Sequence, residues 1–131
     1  MSKSNPYEHY KEQALNSLAP GEILVKLFDE LLKQCRIATI GIEAKDYGKV
    51  NDSLTKMQTI LSTLQMALDM NFPISKNLND LYMFLSQQML KANINKDVKI
   101  IEECVPLFRE LRDSFEQAEK MSRIQRAGGS L

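Results

Sequence analysis

The side chains most often recruited for metal or group-transfer chemistry are scarce in this sequence: one histidine, His9, and two cysteines, Cys35 and Cys104. The cysteines lie far apart, with no further cysteine or histidine at ligand spacing, so they predict neither a zinc site nor a disulfide framework. They read instead as small apolar core residues. A di-iron helical bundle needs inward carboxylates and Glu-x-x-His pairs on facing helices, which one histidine near the start cannot supply. A histidine phosphotransfer module needs an exposed histidine in the middle of a long helix, whereas His9 precedes the helical region and reads as a solvated surface residue. No Gly-rich phosphate loop, nucleophile elbow or Ser/His/Asp set is visible. The expectation is a protein that is not an enzyme and takes no cofactor and no metal.

Charge narrows the partners further. Seventeen basic residues face seventeen acidic ones across 131 residues, which leaves no net field to draw in nucleic acid or an anionic membrane. Lys3, Glu8, Lys11, Glu12 and Lys26 interrupt the first thirty residues, and no later stretch approaches the roughly 18 apolar residues of a spanning helix. The chain therefore reads as a cytoplasmic protein without stable membrane insertion, of a length that suits one domain.

Four stretches show helical periodicity. Leu24, Phe28, Leu31, Cys35, Ala38 and Ile42 form one stripe. Tyr47, Val50, Leu54, Met57, Leu61, Leu64 and Leu68 form a second, starting at Asp46 as cap and ending before Phe72-Pro73. Leu78, Leu81, Tyr82, Leu85, Met89 and Ala92 form a third, with Ser75 as the expected cap and a break over residues 93–96. The fourth contains Ile101, Val105, Phe108, Leu111, Phe115 and Ala118, begins near Asp97, and has Pro106 inside it, which predicts a kink rather than two helices. Short connections make consecutive helices antiparallel neighbours. The expected fold is all-α, an antiparallel up-and-down four-helix bundle over 20–121 with a short N-terminal helical cap over 1–19. Residues 122–131, which lose the periodicity and carry Gly-Gly, read as a flexible tail.

The second and third helices lack the charge that water-facing surfaces carry. "MQTILSTLQMAL" (57–68) and "LYMFLSQQML" (81–90) contain no charged residue. Met83, Gln87, Leu90 and Ile94 gather on the third helix away from its core stripe, and Ile60, Met66 and Met70 are placed outside the core stripe of the second. Methionine's flexible thioether suits a surface that adapts to a partner. An external partner, a homodimer face, or burial under the N-terminal arm would each account for such a patch.

At the start, Asn5 can cap, Pro6 suits the first helical position and Glu8 completes a capping box, so a short helix carrying Tyr7, Tyr10 and Ala14 on one side is locally specified. So short a helix is unstable alone and must dock. The stretch "NPYEHYKEQALNSLAPGEILVKLFDELLKQC" resembles the N-terminal signature of the flagellar secretion chaperone FliS family, in which Asn-Pro-Tyr, a second tyrosine and a Pro-x-Glu-Leu helix start recur at this spacing. "NLNDLYMFLSQQMLKAN" is similar to that family's third helix and "VPLFRELRDSF" to its C-terminal helix, with Phe115 where the family usually has tryptophan.

That resemblance implies a cytoplasmic export chaperone. It would bind the disordered C-terminal segment of flagellin, block premature polymerisation and help deliver flagellin to the flagellar export gate. It further implies that the N-terminal segment covers part of the bundle and is displaced, which would make Tyr7 and Tyr10 a removable lid. The expected flagellin-binding track is Ile60, Met66, Met70, Met83, Gln87, Leu90 and Ile94. The rivals are a homodimeric helical bundle burying the same face and a histidine phosphotransfer module.

Overall fold

The computed structural model describes residues 20–129; His9, Tyr7, Tyr10 and the N-terminal helical cap lie outside them. Four helices account for the fold: α1 (Pro20–Glu43), α2 (Tyr47–Met66), α3 (Pro73–Asn95) and α4 (Val98–Gly129). Connections over 44–46, 67–72 and 96–97 are too short for anything but a reversal of direction. Packing runs round a ring, α1 on α2, α2 on α3, α3 on α4, and α4 back on α1. The described residues form an all-α four-helix bundle with no strand.

The predicted stripes supply the core. Phe28, Leu31, Cys35 and Ala38 of α1 meet Val50, Leu54, Met57, Leu61 and Leu64 of α2, Tyr82, Leu85, Met89 and Ala92 of α3, and Ile101, Cys104, Phe108 and Leu111 of α4. Phe28 stacks on Phe115, with ring centroids 5.4 Å apart, and tilts against Tyr82 at 6.3 Å. Burial pushes the Cys35 thiol up to about 12, with neighbouring Cys104 adding to it, and pushes the Cys104 thiol up to about 11. Both cysteines are free and buried.

Two stripe assignments fail. Tyr47 is exposed because it begins α2 beyond the core, where its ring lies 5.6 Å under the Lys96 ammonium. Ala118 is also exposed, because the next residue, Glu119, takes the inward position and is buried beside Gly21 of α1. The helix nevertheless continues through 122–129, the stretch read from sequence as tail. Side chains that project into water need no apolar stripe, so periodicity gave no sign of it. Glu119 lies within 3.5 Å of both Arg123 and Arg126. Pro106 sits inside the single helix α4, as expected.

The turns show how helix ends are closed. Asp46 caps α2, its Oδ1 accepting from the Lys49 amide at 3.3 Å. The same residue closes α1: the Asp46 amide donates to the Gly41 carbonyl at 2.8 Å and the Lys45 amide to the Ile42 carbonyl at 3.0 Å, a Schellman arrangement. It requires Lys45 at φ 59°, a left-handed conformation costly for any residue with a Cβ. Lys45→Gly is expected to raise stability by about 0.5–1 kcal/mol, because relief of this strain outweighs glycine's greater freedom in the unfolded chain. Urea unfolding should show a higher midpoint at unchanged slope.

Ser75 is not the cap of α3. Phe72 occupies that position without a side-chain hydrogen bond and Pro73 opens the helix. Proline's fixed φ suits the first helical position and holds the preceding residue extended, as Phe72 is at φ −99°, ψ 132°. Ser75 is buried in the first turn, where its hydroxyl donates to the Asp69 carbonyl at 2.7 Å.

Candidate functional site: the outer face of α2 and α3

The seam between α2 and α3 is held by amides and hydroxyls. Gln58 Nε2 donates to the Ser86 carbonyl at 2.7 Å while the Ser86 hydroxyl donates to Gln58 Oε1, and two turns along α2 Gln65 Nε2 donates to Asn79 Oδ1 at 3.0 Å. Asn79 in turn reaches the Met83 sulfur at 3.8 Å, which sets Met83 at the seam's outer edge. Leu90 and Ile94 follow Met83 on α3 at seven and eleven residues, a spacing that keeps them on one side of a helix. All three are exposed, Ile94 at 72%, and Gln87 is exposed among them.

From α2, Met66 projects at 79% exposure, and Met70 stands exposed in the turn that follows. Thr59 and Thr63 donate their hydroxyl protons to carbonyls one turn back in α2, at 3.3 and 3.0 Å. Their hydroxyls are thereby occupied on their own helix, which leaves this exposed row less polar than its residue types suggest. The result is an apolar, uncharged band able to take up apolar side chains of another chain.

Ile60 does not belong to that band. It is 8% exposed, packs in the core cluster, and lines a cleft between α1 and α2 together with Leu27. Six residues separate it from Met66, and at about 100° per residue that is a rotation of about 240°, so the two point to different sides of α2. Placement outside the core stripe is overturned for this residue.

The sequence reading also missed apolar residues that the structure exposes. Phe72 and Ile74 flank Pro73 beside Met70, and a run of apolar residues around a helix-starting proline could have signalled them. Phe84 is exposed too; it lay within "LYMFLSQQML" outside the core stripe, and the same angular argument that found Met83 would have found it.

Elsewhere the charged groups serve the helix contacts. Arg112 Nε donates to Asp29 of α1 at 2.7 Å, and its two terminal nitrogens donate to both oxygens of Glu116 at 3.0 Å each. These bonds, Asp29 first, raise the Arg112 pKa above its ordinary value. On the α1–α2 side the buried Ser53 hydroxyl reaches Gln34 at 2.8 Å, and Gln34 donates to Glu30 at 2.7 Å. Burial opposes ionisation of Glu30, but hydrogen bonds from Gln34 and Lys56 and the charges of Lys56 and Lys33 outweigh it and hold the carboxyl below its usual range. Among the described residues no group of three or more His, Cys, Asp or Glu could hold a metal ion, and no helix is long and apolar enough to cross a membrane.

Known proteins share this chain's sequence and its fold. Residues 3–122 match the family model for flagellar protein FliS. A flagellar secretion chaperone FliS from Bacillus subtilis is 30% identical over 128 residues, covering 98% of this chain and 96% of the relative. The Salmonella typhimurium protein of the same name is 26% identical over 117 residues, with 87% of each chain covered. A crystal structure of a bacterial flagellar chaperone superposes with a TM-score of 0.73 over 87% of this chain and 94% of the other, at 17% identity, a likeness of fold. A bundle of this architecture, matched by the family model over nearly its whole length, belongs to the FliS family of flagellar secretion chaperones.

Proposed function

We propose that the protein is a cytoplasmic, nonenzymatic chaperone that holds the C-terminal segment of flagellin on the outer α2–α3 face, prevents its premature polymerisation and aids delivery to the flagellar export gate. The observation that carries this is the exposed, uncharged track of Met66, Met70, Met83, Gln87, Leu90 and Ile94 on a FliS-family bundle. A disordered segment that orders as it binds loses affinity to that ordering, so it needs a continuous apolar surface to offset the loss. Three of the six residues are methionines, which can repack around different apolar side chains. Ile60 takes part only by supporting α2 from its inner side. Tyr7 and Tyr10, in the segment ahead of α1, serve in this proposal as a lid displaced when flagellin arrives.

Calorimetry with a peptide of the flagellin C-terminal segment tests the reading. Saturable one-to-one binding with a negative heat-capacity change is expected, because apolar surface leaves water. Absence of binding, together with a dimeric mass by light scattering, would transfer the α2–α3 face to a homodimer interface.

A further inference from the structure

A formal charge of zero conceals an uneven distribution. Between α1 and α2 runs a cleft of about 520 Å³ with Leu27 and Ile60 as its apolar lining, and with Lys26, Lys33 and Arg36 of α1 and Lys56 of α2 around it. Two acids share the rim, and both are engaged. Asp29 accepts from Arg112 at 2.7 Å, and Glu30 accepts from Gln34 at 2.7 Å and pairs with Lys56 at 3.2 Å. Lys26, Lys33 and Arg36 form no ion pair with any described residue. The cleft thus keeps an excess of positive charge beside an apolar lining.

The spacing of these cations has a shape. Lys26 and Lys33 stand two helical turns apart, about 10.5 Å along α1, and Arg36 follows one turn later, about 4.5 Å on. Arg36 also borders a second cleft, of about 250 Å³ between α1 and α4, whose lining includes Leu32, Ile40, Val105 and Arg109. The cationic edge therefore continues from one cleft to the next. A partner helix laid along α1 would meet Lys26 near one end and Lys33 with Arg36 near the other, each able to match a carboxylate, while its apolar side faced Leu27 and Ile60.

We propose that this cleft is a second binding surface, separate from the α2–α3 face, for an acidic amphipathic helix of a partner protein. Charge complementarity selects the occupant: carboxylates of the helix form charge-assisted hydrogen bonds with Lys26, Lys33 and Arg36, and its leucine-type side chains cover the apolar lining. A flat anionic bilayer is the poorer fit, because Ile60, at 8% exposure, lies deeper than a headgroup plane could follow. The two surfaces lie on different sides of α2, so one bundle can engage flagellin and a second protein at once.

The test uses the full-length protein and a synthetic helical peptide, acetylated and amidated, with leucines spaced three and four residues apart and flanked by glutamates. A second peptide carries glutamine at every glutamate. Fluorescence anisotropy should show the glutamate peptide binding at least about tenfold more tightly than the glutamine peptide, with the difference shrinking as salt rises. Lys33→Glu with Arg36→Glu should abolish the preference, and Lys33→Gln with Arg36→Gln should weaken it. Both positions are exposed, and unchanged helicity by circular dichroism verifies folding. Neither pair should alter affinity for the flagellin segment, and Met83→Glu with Leu90→Glu should leave the glutamate peptide bound. Equal binding of the two peptides, survival of the preference in the charge-reversed variant, or displacement of the glutamate peptide by the flagellin segment would each overturn the proposal. So would binding to phosphatidylglycerol vesicles without binding to the peptide, which would make the surface a membrane contact. Because the two ligands are measured separately, failure here is distinguishable from failure of the flagellin reading.

Discussion

Phe28→Ala is expected to lower the stability of the bundle by about 3–5 kcal/mol, the loss typical of a large aromatic removed from a packed core. Phe28 has no exposed surface, stacks on Phe115 at 5.4 Å and touches Tyr82 at 6.3 Å. Truncation removes its own burial and also strips contacts from two other aromatic rings, so the cavity is lined by side chains with nothing to collapse onto. The aromatic contacts add about 0.5–1.5 kcal/mol per pair beyond area. Urea melts should show a large fall in midpoint. Leu31→Ala, Leu61→Ala and Leu85→Ala, all at fully buried positions, should fall in the range of about 2–5 kcal/mol. A Phe28→Ala protein with the midpoint of the parent would mean that the stacked aromatic cluster is not formed in solution.

Met83→Glu combined with Leu90→Glu is expected to abolish binding of the flagellin segment while leaving the bundle folded. Both side chains are about half exposed, at 45% and 54%, and the new carboxylates can remain in water in the free protein. In the complex they would be covered by apolar groups without partners, and an unpaired buried charge is costly enough to eliminate a modest affinity. Calorimetry with the segment and circular dichroism of the free variant decide the matter together. Retained affinity would remove the α2–α3 face from the proposed function, and loss of helicity would show that Met83 and Leu90 support the fold.

Core positions were legible in the sequence because burial imposes a helical period on them. Phe28, Leu31, Leu54, Leu61, Leu85 and Phe108 could be assigned by spacing alone, and the Asp46 cap by its side-chain chemistry. Errors arose where other forces set the conformation. Ser75 has the chemistry of a cap, yet the fixed φ of Pro73 starts α3 three residues earlier, with Phe72 in the cap position. Tyr47 fits the stripe by angle, but periodicity cannot say where along its axis a helix leaves the core. For the candidate site, the missing charge on α2 and α3 was visible, and Met66, Met83, Leu90 and Ile94 are exposed as that absence suggested. Ile60 could not be sorted by composition: an apolar residue off the main stripe faces either solvent or the next helix, and the packing of α1 beside α2 decides between them.

The order in which the helices pack bears on how this bundle is made. Three of its four contacts join consecutive helices through short connections, but α4 also packs on α1, and Arg112 meets Asp29 across 83 residues. A chain emerging from the ribosome can pair α1, α2 and α3 early, since local contacts close at little entropic cost. Phe28 of α1 then has Tyr82 of α3 beside it but stays open on the side where α4 brings Phe115 to stack on it. Of the four helices the last to be synthesised is therefore the one that seals the core, and a nascent or truncated chain ending before α4 leaves apolar surface of α1 bare to the cell.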